Sequence, residues 1–105
     1  MGYVVFEEVL VSGFHKHIVL EHKKAKNIFK ELVSEINENM NNYSSFVIFP
    51  FTSQCSWNEK ERHTKKLEEY CKQIKNVEFV YIMWGADYGF DCKPYIKMTN
   101  AYHGD

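Results

Sequence analysis

Arginine is nearly missing from this chain: Arg62 stands alone among 13 basic side chains in 105 residues. Guanidinium forks make the bidentate contacts that read guanine and grip phosphate, so a nucleic-acid partner is disfavoured. With 14 acidic groups against those 13, the formal net charge is −1, and no strong field draws in a polyanion or an anionic membrane. Proline occurs twice and glycine five times, scattered, so no linker divides the chain, and there is no repeat or low-complexity tract. No apolar run approaches the ~18–20 residues of a membrane-spanning helix. The opening MGYVVFEEVLVSG reaches two glutamates after a short apolar stretch, so neither a secretory signal nor a myristoylation site is expected there. Three cysteines, Cys55, Cys71 and Cys92, are odd in number and lack C-x-x-C spacing, which argues against a disulfide framework and a four-thiolate zinc site. The expectation is a cytoplasmic protein without a membrane partner or a cofactor.

Apolar material is plentiful. Hydrophobic residues make up 45% of the chain, enough for one core over residues 1–98, with 99–105 expected as a flexible tail. Two nearly uninterrupted apolar runs, FVIFPF from Phe46 and VEFVYIMW from Val77, have no polar face and read as strands covered on both sides, as in a parallel sheet. The segment between them carries the capping box Ser56-Trp57-Asn58-Glu59 and an apolar stripe through Leu67, Tyr70, Cys71 and Ile74, which predicts a helix.

Upstream, Tyr3–Val11 is β-rich, Gly13 breaks it, and HIVLE from His17 resumes it. Glu7 and Glu8 interrupt both faces of that first strand. From Lys24, residues Ala25, Ile28, Phe29, Leu32, Val33, Ile36 and Met40 recur at three and four, predicting a first helix that ends in the polar stretch from Asn37 to Ser45. Such a helix carries Lys23, Lys24 and Lys26 at its start and Glu35 and Glu38 at its end, against its dipole. An anion bound at that start is one reading; tolerance at an exposed surface is the other. After GADYG, the alternation from Phe90 to Met98 predicts a one-sided strand, at the sheet edge because it contains Pro94. The expected fold is α/β: a small mixed sheet of four or five strands in the chain order β-β-α-β-α-β-β, with two helices and parallel central strands.

In such sheets ligands lie beyond the carboxyl ends of the parallel strands, which directs attention to residues 52–58 and 85–89. Cys55 would sit just before a helix N-terminus, where the dipole stabilises a thiolate. A phosphatase loop, C-x5-R, does not fit, since six residues separate Cys55 from Arg62 and none is glycine. The stretch FVIFPFTSQCSWN, the helix ending KKLEEYCKQIKN, then VEFVYIMW and KPYIKM resembles the strand, cysteine loop, helix, strand and proline-led strand of a thioredoxin-like domain. It covers residues 46–98, about half the chain. The resemblance implies Cys55 as a single reactive thiol, because the place of a resolving cysteine holds Asn58 and a dithiol cycle cannot close within the chain.

His15 and His17, two apart, would share one face of a strand and offer two ligands to a metal, with Glu8, Glu21 or His103 as a third. Exposed histidines around a turn are the alternative. The aromatic content is high, with eight phenylalanines, seven tyrosines and two tryptophans. Trp57, Trp84, Tyr88 and Tyr95, with Asp87 and Asp91, gather around the last two strands and their loops and would make an aromatic and acidic contact surface. No coherent set of catalytic residues stands beside it. The first expectation is therefore a non-catalytic protein, monomer or weak dimer, that binds another protein such as a toxin or a host enzyme, in the manner of immunity proteins and phage-encoded inhibitors. The second is a thioredoxin-like domain acting through Cys55.

Overall fold

The computed structural model describes residues 4–50, 57–87 and 90–100. Five strands, β1 (Val4–Phe14), β2 (Asn37–Glu38), β3 (Tyr43–Ile48), β4 (Glu78–Asp87) and β5 (Phe90–Thr99), form one antiparallel sheet in the order β2-β3-β1-β4-β5. Two helices, α1 (His15–Phe29) and α2 (Trp57–Gln73), cross it, and a 3-10 turn (Lys30–Leu32) follows α1. The α/β class and two helices hold.

The expected parallel centre does not. β1 pairs antiparallel with β3 on one side (Val9 with Ile48, Val11 with Phe46) and with β4 on the other (Val9 with Tyr81, Val11 with Phe79). β3 and β4 therefore run the same way, as the helical crossover between them requires, but β1 lies in the gap. Their apolar continuity comes from a different cause than a double cover. One parity of each strand enters the core, and the other parity is apolar as well.

The buried parity sets the layers. Val9 and Val11 of β1, Phe46 and Ile48 of β3, and Phe79 and Tyr81 of β4 pack with Ile18, Ala25 and Phe29 of α1 and Leu67, Tyr70 and Cys71 of α2. Each valine, leucine, isoleucine or phenylalanine so enclosed contributes ~1.5–3 kcal/mol by leaving water. Both helices thus cover the same face. Gly13 allows the close approach there, because a Cβ on it would come within 3.0 Å of Val77.

α1 begins nine residues earlier than the sequence pattern predicts, and HIVLE is its first turns rather than a strand. Its buried stripe is Ile18, Glu21, Ala25 and Phe29, and the acid in the second position breaks the apolar period. Lys30, at φ 55°, ends it. With these bounds Lys26 falls in the last turn, where the dipole favours it, Lys23 and Lys24 fall mid-helix, and Glu35 and Glu38 fall outside. The conflict with the dipole shrinks to Lys16 in the first turn, and the anion reading for Lys23, Lys24 and Lys26 falls away. Asn41 and Asn42, both at φ near 60° (61° and 63°), make the tight turn into β3, closed by the Tyr43 amide on the Met40 carbonyl.

β5 is an edge strand, as Pro94 requires. Its ladder slips twice against β4, between the Tyr81 and Ile82 pairs and between the Met83 and Gly85 pairs, so that Lys97 and a residue beside Pro94 are extra. The end of β5 is stapled: Thr99 Oγ1 donates to the Phe79 carbonyl, and Asn100 both donates to the Val77 carbonyl and accepts from the Phe79 amide.

Candidate functional site

Side chains alternate across a strand, so the register that buries Val9 and Tyr81 sends their neighbours to the opposite face. There β1 presents Phe6, Glu8, Leu10, Ser12 and Phe14. Across the ladder stand Tyr43, Ser45 and Val47 of β3 and Glu78, Val80, Ile82 and Trp84 of β4. No described helix or strand packs on this face. Leu10, on the middle strand, is 38% exposed, whereas Val9 beside it is fully enclosed. Phe14 and Tyr43 are exposed, as is Ile96 of β5, which pairs with Ile82.

The aromatic rings on this face lock one another. Phe6 and Trp84 are cross-strand partners, stacked with centroids 5.5 Å apart. Phe14 and Tyr43 form the corresponding pair at the other end of β1, edge-on at 4.9 Å. Such pairs hold stiff, flat area in place, which lowers the entropy lost when a partner settles on it. In β3, β1 and β4 the acids on this face are Glu8 and Glu78, and the register places no lysine, arginine or histidine among them. Burial by its apolar neighbours raises the pKa of Glu8 above its usual value.

On the helix-covered face, the enclosed acids Glu7 and Glu21 are held by hydroxyls and lysines. Glu7 is buried, and its two oxygens accept from Tyr81 (2.6 Å) and Thr64 (2.7 Å), with Lys97 Nζ 3.8 Å away. Lys97 also pairs with Glu68 at 2.8 Å and lies 5.1 Å over the Tyr81 ring. Burial, reinforced by Glu7, holds Tyr81 protonated well above the ordinary phenol range. Burial pushes the Cys71 thiol up to about 12, so no thiolate is on hand at neutral pH. Glu21 repeats the device: Tyr70 donates to its backbone carbonyl at 3.2 Å and to its carboxylate at 3.3 Å. The groove beside it, about 590 Å³ and edged by Lys24, Lys72 and Lys75, has this satisfied pair for a floor.

The residues singled out from sequence are separated by this architecture. Trp84 belongs to the bare face. Tyr95 is exposed but pairs with Met83 on the helix side, where its hydroxyl donates to the Met83 sulfur at 3.2 Å. Asp87 and Asp91 lie on the β4–β5 hairpin, Asp91 paired with Ala86, and Trp57 opens α2. Cys55, Ser56 and Tyr88 lie outside the described residues. A thioredoxin-like arrangement puts the strands flanking the cysteine loop side by side, and here β1 separates them. His15 and His17 are on a helix, so their two-residue spacing turns them about 200° apart instead of onto one face. His15 bonds Ser44 Oγ at 2.7 Å, and among the described residues no group of three metal-binding side chains forms. Sequence reading missed Leu10, Phe6, Phe14 and Ile82. The signal was their even spacing, concealed by the enclosed Glu7 of the other parity.

Among the described residues, no helix is long and apolar enough to cross a membrane. No family model matches the chain, and no curated protein or solved structure does.

Proposed function

We propose that this chain is a non-catalytic binding protein that docks another protein on the bare face of its sheet. The observation that carries the reading is the exposure of Leu10, between Val47 and Val80, on a sheet face that also carries Phe6, Phe14, Ile82 and Trp84. An isolated exposed leucine needs no explanation, but a contiguous apolar sheet face does. Quiet chemistry on the other face supports the same reading, since the enclosed hydroxyls and the Cys71 thiol are held protonated. Small size and blocking area suit an immunity protein or an inhibitor, which acts by covering a surface of a toxin or host enzyme. Asp87, Tyr88 and Asp91 remain proposed members of the rim, whereas Trp57, on α2, and Tyr95, paired with Met83, belong to the helix side and are left out of the proposed surface.

The test is affinity for an isolated protein partner measured by calorimetry. Trp84→Ala should weaken binding by ~2 kcal/mol or more, as truncation of a central ring does, and Leu10→Lys should abolish it. Unchanged affinity in both variants would sink the surface assignment.

A further inference from the structure

Glu8 is the anomaly on the bare face. It stands on the middle strand with Phe6 and Leu10 beside it along β1 and Ile82 directly across on β4. It is half-buried by these apolar neighbours, and it makes no hydrogen bond or ion pair with any described residue. A carboxylate placed among apolar groups loses hydration without gaining a partner, a local cost that sequences retain where a site uses it. The other enclosed acids are treated differently. Glu7 receives two hydroxyls and a lysine, and Glu21 receives a hydroxyl and Lys24.

We infer that the partner carries a lysine or arginine side chain within an apolar surface and sets that cation against Glu8. This rests on the docking reading above. Charge selects such a partner over other occupants. Among the described residues of β3, β1 and β4, the register sets no lysine, arginine or histidine beside Glu8 or Glu78. A nucleic acid would bring phosphates to these carboxylates and be repelled. A second copy laid face to face would set an acidic, apolar surface against its equal and bury carboxylates against carboxylates. A cation from a different protein answers the charge, and the surrounding Phe6, Leu10 and Ile82 exclude water from the pair, which strengthens it.

The experiment uses the full chain with Trp57→Phe, so that Trp84 is the sole tryptophan reporter. The probes are three synthetic amphipathic peptides, alternating leucine or phenylalanine with serine and bearing a central arginine, citrulline or glutamate. The arginine peptide should shift Trp84 emission and bind on the order of tenfold or more tighter than the citrulline peptide. Glu8→Gln should make those two affinities equal, and Leu10→Lys should remove binding of both. Equal affinity for the arginine and citrulline peptides in the reporter chain that keeps Glu8 overturns the cationic partner and leaves the docking face standing. Failure of all three peptides to bind overturns the docking face as well. A dimer at pH 7 in sedimentation velocity, split by Leu10→Lys, overturns the inference in favour of a second copy.

Discussion

Glu7 and Glu8 are neighbours in the chain and stand on opposite faces of β1. Glu7 is enclosed and accepts from Tyr81 at 2.6 Å, whereas Glu8 lies among apolar side chains of the bare face. The same substitution should have opposite effects at the two positions. Glu7→Gln replaces an acceptor oxygen with a donor facing Tyr81 or Thr64 and should cost ~1–3 kcal/mol of stability. For Glu8, burial raises the folded pKa above the usual 4.5. The folded chain therefore holds its proton more tightly than the unfolded chain does. That contribution is complete below about 4.5 and is lost as pH rises through the folded value. Glu8→Gln should stabilise the protein at pH 7 and make less difference at pH 4, as read by urea unfolding.

The two buried tyrosines should rank by geometry. Tyr81 donates to a carboxylate at 2.6 Å, and Tyr70 reaches its acceptors at 3.2 and 3.3 Å. Tyr81→Phe should cost ~1.5–3 kcal/mol and Tyr70→Phe ~0.5–1.5, measured by denaturant titration with unchanged slope. Equal costs would contradict the assigned bonds.

His63 supplies a pH signature. It is buried on α2 and packs edge-on against Phe29, with ring centroids 5.7 Å apart. Burial lowers its pKa below the usual 6.5, opposed by Glu7 and assisted by Lys66 and Lys60. Below about 6.5 the unfolded chain takes up a proton that the folded chain resists, so stability falls as pH falls from there toward the folded value. His63→Gln should flatten the slope of stability against pH in that window.

Cys71 should behave as a core residue. Enclosed and with its thiol pushed up to about 12, it should react with iodoacetamide at pH 7.5 only at the rate of unfolding. Mass mapping of the labelled peptides gives that rate separately from Cys55 and Cys92. Labelling of Cys71 faster than global unfolding would place it outside the core.

Much of the fold is legible in the sequence. The apolar run from Val77, the stripe through Leu67, Tyr70 and Cys71, and the edge strand marked by Pro94 are local patterns, and local patterns survive in sequence. What stayed hidden has two causes. The first is that the core admits two glutamates: Glu21 broke the period of α1 and shifted its apparent start, and Glu7 concealed the alternation of β1. Neither can be recognised as a core residue until Tyr70 and Tyr81 are seen to meet them. The second is that pairing is nonlocal. The helical crossover fixes the common direction of β3 and β4, but nothing in their residues reveals that β1 enters between them. That insertion, with both helices on one side of the sheet, moves the candidate site from the loop ends to the face of Leu10, Glu8 and Trp84.

The central claim is that this face is open in the free protein and ready for a partner. Solvent relaxation enhancement by a neutral gadolinium chelate, read on methyl groups by NMR at pH 7, tests it most directly. The methyls of Leu10, Ile82 and Ile96 should relax strongly while those of Val9, Val11 and Ile48 are spared, matching their exposure on the two sides of one sheet. Protection of Leu10 and Ile82 equal to that of Val9 and Ile48 would mean that the face is already covered, and would contradict the account.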